Sequence, residues 1–362
     1  MMSFYRMHYS NVHRGAYYLS EQATAEYEKA RETVARFVNA GSREIVFTRS
    51  ATESINLAAA SWGMHNLKPG DEILLSEAEH HANLVPWQMV RDQTGCTLNF
   101  FAVNDDGSFN PENFYRALTP RTKLVGVAGI SNVLGTVFPV KEIAAAAHAN
   151  GALCLVDACQ SVVHQKIDVK DIGCDFLAFS GHKTYGPTGI GVLYGRYELL
   201  AAMPPYQTGG DMVKSVTLQH TEFAEPPARF EAGTPAIAEA VGLGAALEYM
   251  NRLGMENIAA HEKALMDYAL TRLAEIPELK VVGTAPDKGG VIAFALGSIH
   301  PQDVAFVLDK EGVAIRTGHH CAEPIVNRMG YTSLARASFG LYTTKEDIDR
   351  FVAALNKAKS FF

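Results

Sequence analysis

The sequence predicts an α/β protein, a mostly parallel β-sheet flanked by helices, followed by a smaller C-terminal α+β domain. From Glu44 onward, short β-branched runs alternate with amphipathic stretches, separated by Gly, Pro, Asn or Asp. Helices between successive strands imply a parallel sheet covered on both faces. After Gly195 that rhythm breaks into a long stretch rich in Pro and Gly, from Met203 to Pro235, before helices and strands resume. The composition agrees with a folded protein, since apolar residues make up 48% of 362 residues and charged residues 20%, enough to build a sizeable core.

Each element follows from its local pattern. Apolar or β-branched runs bounded by turn residues place strands at Ile45–Thr48, Glu72–Ser76, Thr97–Ala102, Leu124–Ile130, Leu153–Val156, Phe176–Ser180 and Gly191–Tyr194. Helical periodicity places helices at Glu53–Trp62, Leu84–Gln93, Pro111–Leu118 and Val140–Asn150. Met203–Pro235 reads as an irregular surface excursion. Ala236–Ala274 reads as two long helices broken around Gly254, followed by strands at Val291–Leu296 and Val313–Ile315 and a last helix from Thr344. The domain boundary is therefore expected at Gly254, giving residues 1–254 and 255–362.

Charge and composition exclude several classes. Asp and Glu outnumber Lys and Arg by 39 to 32, for a net charge of −7, and no basic block occurs; nucleic acid is a poor partner. No apolar run is long enough for a membrane helix, and Met1–Ser10 lacks the apolar centre of a signal peptide. Five cysteines without pattern fit a reducing compartment, so a cytoplasmic protein is expected.

Five segments carry chemistry. Ser180-Gly181-His182-Lys183 follows an apolar strand and precedes a glycine-rich stretch. A lysine at the carboxyl end of such a strand faces the crevice where parallel sheets bind ligands, and partial desolvation favours a Schiff-base nucleophile. Taken alone, it reads equally as a solvated loop residue. Val156-Asp157 again runs a strand into a carboxylate. A lysine and a carboxylate in one crevice are what pyridoxal 5′-phosphate (PLP) requires, one for the imine and one for the pyridine nitrogen. Arg49-Ser50-Ala51-Thr52-Glu53 offers amides and hydroxyls to a phosphate at a helix start, although a Thr52 cap would account for the pattern by itself. Glu79-His80-His81-Ala82-Asn83 offers an imidazole to a cofactor ring; no third ligand at a recognisable spacing supports a metal. Arg316-Thr317-Gly318-His319-His320-Cys321-Ala322 sets a thiol beside an arginine and two imidazoles, whose positive charge would favour the thiolate. Cys96, Cys154 and Cys174 read as core residues, whereas Cys159, beside Asp157, fits either a core or a site position.

With these segments placed, the chain resembles the Suf-type (group II) cysteine desulfurases and selenocysteine lyases of the fold-type I PLP enzymes. The resemblance runs from about Asn11 to the C-terminus. It rests on Asn11-Val12-His13-Arg14-Gly15, the Glu79–Asn83, Ser180–Lys183 and Arg316–Ala322 segments, Ser131-Asn132-Val133-Leu134-Gly135, Phe230-Glu231-Ala232-Gly233-Thr234-Pro235 and Arg336-Ala337-Ser338. It implies that Lys183 binds PLP as a Schiff base, Asp157 pairs with the pyridine nitrogen, Gln160 contacts the phenolic oxygen and His80 stacks on the ring. Thr52, Ser180 and His182 would hold the phosphate, with Thr234 reaching the phosphate of the neighbouring subunit of a homodimer. Arg336, helped by Asn132, would bind the substrate carboxylate, and Cys321 would accept sulfur from L-cysteine as a persulfide, releasing L-alanine. A small Suf-type acceptor protein would then take the sulfur towards iron–sulfur cluster assembly; L-selenocysteine is the alternative substrate.

Three departures from the family pattern matter. Family members carry a few dozen further residues before Asn11, including a Tyr-Leu-Asp-x-Ala-Ala segment, whereas this sequence starts at Met1. A truncated PLP-binding scaffold with impaired activity is therefore the competing expectation. Ala51 stands where the family usually has Thr, removing a hydroxyl but keeping the backbone N–H. Cys159 stands where Ala or Gly is usual.

Overall fold

A computed structural model describes residues 1–362. Seven strands form the main sheet: β1 (Ile45–Thr48), β2 (Glu72–Ser76), β3 (Thr97–Phe101), β4 (Thr122–Ala128), β5 (Leu153–Asp157), β6 (Phe176–Ser180) and β7 (Gly191–Gly195). Their order is β1-β7-β6-β5-β4-β2-β3. The pairs β2–β3, β2–β4, β4–β5 and β5–β6 are parallel, and β7 alone runs against its neighbours β6 and β1. The expected mostly parallel sheet is thus present.

Burial on both faces explains why the strands were readable as continuous apolar runs. Leu74, Val125, Cys154, Val156, Leu177 and Val192 point into one core, and Ile73, Leu75, Leu124, Leu155, Phe176 and Leu193 into another on the opposite face. Successive residues therefore serve different cores, and none can be polar without cost. β3, at the sheet edge, is largely open to solvent.

The remaining elements correct the sequence reading at several places. A helix at Tyr18–Val38, absent from that reading, packs along the helix Ile237–Leu253. The helix expected from Glu53 starts at Ala51, because Ser50 rather than Thr52 caps it, its Oγ accepting from the Glu53 amide at 3.4 Å. It widens into a π-helical turn at Ala58–Gly63. The Met203–Pro235 excursion contains a hairpin, β8 (Val213–Val216) and β9 (Thr221–Phe223).

A second, antiparallel sheet follows, with β10 (Leu279–Val282), β11 (Val291–Leu296), β12 (Arg316–Gly318) and β13 (Leu334–Ser338) in the order β10-β11-β13-β12. The strand expected at Val313–Ile315 lies three residues later, at β12. Val313 still belongs to the exit of the helix Pro301–Lys310, its amide bonding Leu308 O at 2.9 Å, and the ladder begins only where Arg316 pairs with Arg336. The helices Ile237–Leu253 and Met255–Leu273 meet at Gly254, whose φ of +86° breaks them. Helices Met255–Leu273, Pro301–Lys310 and Lys345–Phe361 cover this sheet with a core of its own.

Candidate active site

The carboxyl ends of β1, β5 and β6 open on one rim of the main sheet, where parallel strands place ligands. There a cavity of about 210 Å³ is lined by Ala51, Thr52, His80, Asp157, Gln160, Ser180, His182, Lys183, Asn132 and Arg316, among others. The sequence-predicted lysine, carboxylate, imidazole and phosphate turn therefore share one space. Lys183 is half-buried, on a short 3₁₀ turn directly after β6.

The phosphate turn comes close because Gly191 has no side chain. Thr48, Gly191 and Ser180 form one row across β1, β7 and β6. A Cβ on Gly191 would lie 2.4 Å from the Ser50 Cα. Without it the turn folds over β7, and the Ala51 amide donates to Ser180 Oγ at 2.8 Å. The Glu53 amide is taken by Ser50 Oγ, whereas the Thr52 amide has no partner in the chain.

Asp157 is buried, and its Oδ1 accepts from the Cys159 amide at 3.0 Å. No protein donor bonds its other oxygen. His80 Nδ1 accepts from the Ala82 amide at 3.0 Å, which fixes the ring and leaves its proton on Nε2. Burial pushes His80 down to about 4, against the pull of Asp157, so the ring is neutral. Glu79, which sequence reasoning passed over, supports this turn from below: its carboxylate accepts from the Ala128 amide at 2.9 Å, from Asn83 Nδ2 at 2.8 Å and from Ser76 Oγ. Burial raises its pKa to about 7.

The second sheet brings the thiol to this rim. Arg316 Nη2 lies 3.4 Å from Cys321 Sγ while also lining the cavity. Of the arginine and two imidazoles expected beside the thiol, the arginine is the one that bonds it. His320 is buried, bonds Leu334 O at 3.0 Å through Nε2, and is held down to about 4 by burial and then by Arg336. Arg336 Nη1 donates to Asn132 O at 2.6 Å, and its buried Nε has no partner. Burial, then the charge of Arg316, lowers this guanidinium to about 10. Asn132 also lines the cavity, and one N–H of its Nδ2 donates to His320 O at 2.6 Å, which ties the thiol loop to the cavity wall.

Thr234 stands apart. It is exposed and lines a different cavity of about 600 Å³, shared with Arg49, Glu53 and Tyr206 on the far side of the phosphate turn. A single chain does not bring it to Lys183. No three His, Cys, Asp or Glu side chains are grouped to hold a metal ion.

The profile of the aminotransferase class-V family matches residues 1–351. The chain belongs to that family, among its cysteine desulfurases. A cysteine desulfurase from Dickeya dadantii is 52% identical over 98% of this chain and 86% of its own length, and a probable cysteine desulfurase from Halalkalibacterium halodurans is 49% identical over 99% and 88%. Among solved structures, the apo cysteine desulfurase of Thermococcus onnurineus superposes with a TM-score of 0.97 at 38% identity, covering 100% of this chain and 90% of that one.

The residues present fit PLP. The unpartnered Thr52 amide at a helix start suits a phosphate, the unbonded Asp157 oxygen suits a protonated ring nitrogen, and Lys183 faces both across one cavity.

Proposed function

We infer that the chain is a PLP-dependent cysteine desulfurase that converts L-cysteine to L-alanine and leaves the sulfur as a persulfide on Cys321. The observation that carries this reading is Arg316, which lines the Lys183 cavity and at the same time holds Cys321 Sγ at 3.4 Å. A transaminase would have no task for a thiol there. PLP, when bound, supplies an electron sink for the carbon from which the substrate proton is lost.

The chain's own residues do the rest. Lys183 holds the cofactor through its amine and, once freed, takes the Cα proton. Asp157 would hold the pyridine nitrogen, Gln160 the phenolic oxygen, and the neutral His80 ring would pack on the cofactor. Thr52, Ser180, His182 and the Ala51 turn hold the phosphate. Arg336 binds the substrate carboxylate as a fork. The Cys321 thiolate, stabilised by Arg316, attacks the substrate sulfur; the S–S bond forms as the substrate's C–S bond breaks, and the carbon keeps the bonding pair and is protonated to alanine.

The same reading places the protein in the cytoplasm, in the Suf-type branch, with a small acceptor protein carrying the sulfur to iron–sulfur cluster assembly. We take it as a homodimer in which exposed Thr234 completes the partner's phosphate site, and residues 255–362 as the domain that carries the Cys321 loop.

The decisive experiment follows cofactor absorbance, alanine and protein-bound persulfide together after addition of L-cysteine, with L-selenocysteine in parallel. Cys321→Ala should keep the cysteine-dependent spectral change and lose persulfide and alanine, and Lys183→Ala should lose persulfide and alanine together with the covalent attachment of PLP to the protein. Undiminished sulfur release from Cys321→Ala would sink the mechanism. PLP binding by the unmodified protein without persulfide or alanine would favour the reading of a PLP-binding scaffold with impaired activity. Faster turnover of L-selenocysteine that leaves no persulfide on Cys321 would make it a lyase.

A further inference from the structure

The helix Glu323–Arg328 begins directly after the Cys321 loop, and its own N-cap, Ala322, has no side chain able to cap it. Pro324, the second helical residue, brings no N–H, so Glu323 is the first helical residue with an amide to satisfy. That amide donates to His81 Nε2 at 3.1 Å, across 242 positions of sequence. The backbone amide of the same histidine donates to Cys321 O at 2.7 Å. His81 thus holds the chain on both sides of the Cys321–Glu323 step, once through its main chain and once through its ring.

The loop needs such a hold. His320 and Cys321 are consecutive residues at positive φ, +55° and +58°, a conformation that costs energy for any residue with a Cβ. Arg316 bonds the sulfur itself and Asn132 the preceding carbonyl, whereas His81 bonds the main chain at the thiol residue and again at Glu323. Its neighbour His80 faces the Lys183 cavity from the same short turn, His81–Asn83 with His80 at its cap. Tandem histidines therefore divide the labour: one ring lines the cavity and the other caps the helix behind the nucleophile.

We propose that His81 is a positioning residue for sulfur transfer, an imidazole that caps the helix after Cys321 in place of a local capping side chain and so couples the thiol loop to the turn that carries His80. This rests on the desulfurase reading for its effect on turnover, but its structural part does not. An accepting Nε2 requires the ring proton on Nδ1, and glutamine is the substitute that can place a carbonyl oxygen near Nε2, while asparagine is too short and alanine has no acceptor.

The test uses the PLP-loaded full chain with His81→Ala, His81→Asn and His81→Gln. Amide hydrogen exchange through residues 319–324 should rise about tenfold in the Ala and Asn variants, the factor that one lost hydrogen bond commands, and return towards the native rate in Gln. With L-cysteine, Ala and Asn should lower kcat for alanine by about tenfold with KM within about twofold, because binding precedes the step the loop serves. The cysteine-dependent absorbance change should survive in all three. Native exchange rates in the Ala and Asn variants would overturn the proposal whatever the activity. So would a Gln variant that behaves like Ala while its cofactor spectrum and thermal melting stay native. If the Ala variant does not fold, the contrast between Asn and Gln decides by the same criteria. If the exchange pattern appears but no variant, nor the parent, makes alanine, the capping role stands and the desulfurase reading fails.

Discussion

Cys159 and Cys321 lie close to the same cavity with opposite prospects. Burial pushes the Cys159 thiol up to about 12, with the charge of Asp157 adding to it, so it packs rather than reacts. Cys321 is partly exposed beside a guanidinium. Iodoacetamide on the native protein near neutral pH should therefore label Cys321 at least about tenfold faster than Cys159, as read by peptide mass spectrometry. His320 yields a second prediction at this scale. Its Nε2 is spent on Leu334 O and its buried Nδ1 has no acceptor, so a proton there is unwelcome. The folded value near 4 lies below the ordinary 6.5, so the unfolded chain binds the extra proton first as pH falls. Stability should decline between pH 6.5 and about 4 and no further below, by up to about 3 kcal/mol for this residue. Denaturant titrations should find that part of the slope missing in His320→Asn.

Among the elements, the strands that end at the site were legible because both their faces are buried, which leaves no polar interruption in β2, β5 or β6. The helix Tyr18–Val38 was not, since its inner face is written in Ala23, Tyr27, Ala30, Arg31 and Val34, small and polar residues that blur the apolar stripe. β10 was hidden by shortness and partial exposure, at four residues, and β12, only three residues long, was expected three residues too early. Lys183, Asp157 and the Ser50–Thr52 turn could be found at strand ends, whereas the Cys321 anchors could not, because His81 and Asn132 reach it through contacts that no local spacing encodes. Gly191 is the element-scale test. A methyl group placed 2.4 Å from the Ser50 backbone must push the phosphate turn off β7. Gly191→Ala should cost about 3 kcal/mol of stability. PLP titration should also show at least about tenfold weaker binding, because the anion site moves with the turn.

For the molecule as a whole, a buried ion pair ties the N-terminal helix to the loop that carries Thr234. Arg31 grips Glu231 with bonds of 2.6 and 2.8 Å, and the same carboxylate takes the Phe47 amide at 2.7 Å and the Tyr27 hydroxyl at 2.9 Å. Glu231 stands in the Phe230–Pro235 motif, yet nothing in the sequence pairs it with Arg31. Glu231→Ala leaves the buried guanidinium with only the more exposed Glu28 carboxylate, 2.9 Å from Arg31 Nε, as counter-charge, and should destabilise the protein by about 3 kcal/mol, seen as a lowered midpoint in chemical denaturation. The same change should loosen Thr234 and, in the homodimer reading, weaken PLP binding in trans.

The reversed direction of β7 sets a gauge. Because the chain leaves the Lys183 loop by turning straight back between β6 and β1, the strands that lead into the lysine and into the phosphate turn are held two inter-strand spacings apart, roughly 10 Å of backbone ladder that the turn crosses over Gly191. That width is written in main-chain hydrogen bonds, which side-chain exchange barely alters. Loops around the rim can be recast to admit another amino acid or another acceptor, while the span that selects the cofactor keeps its measure.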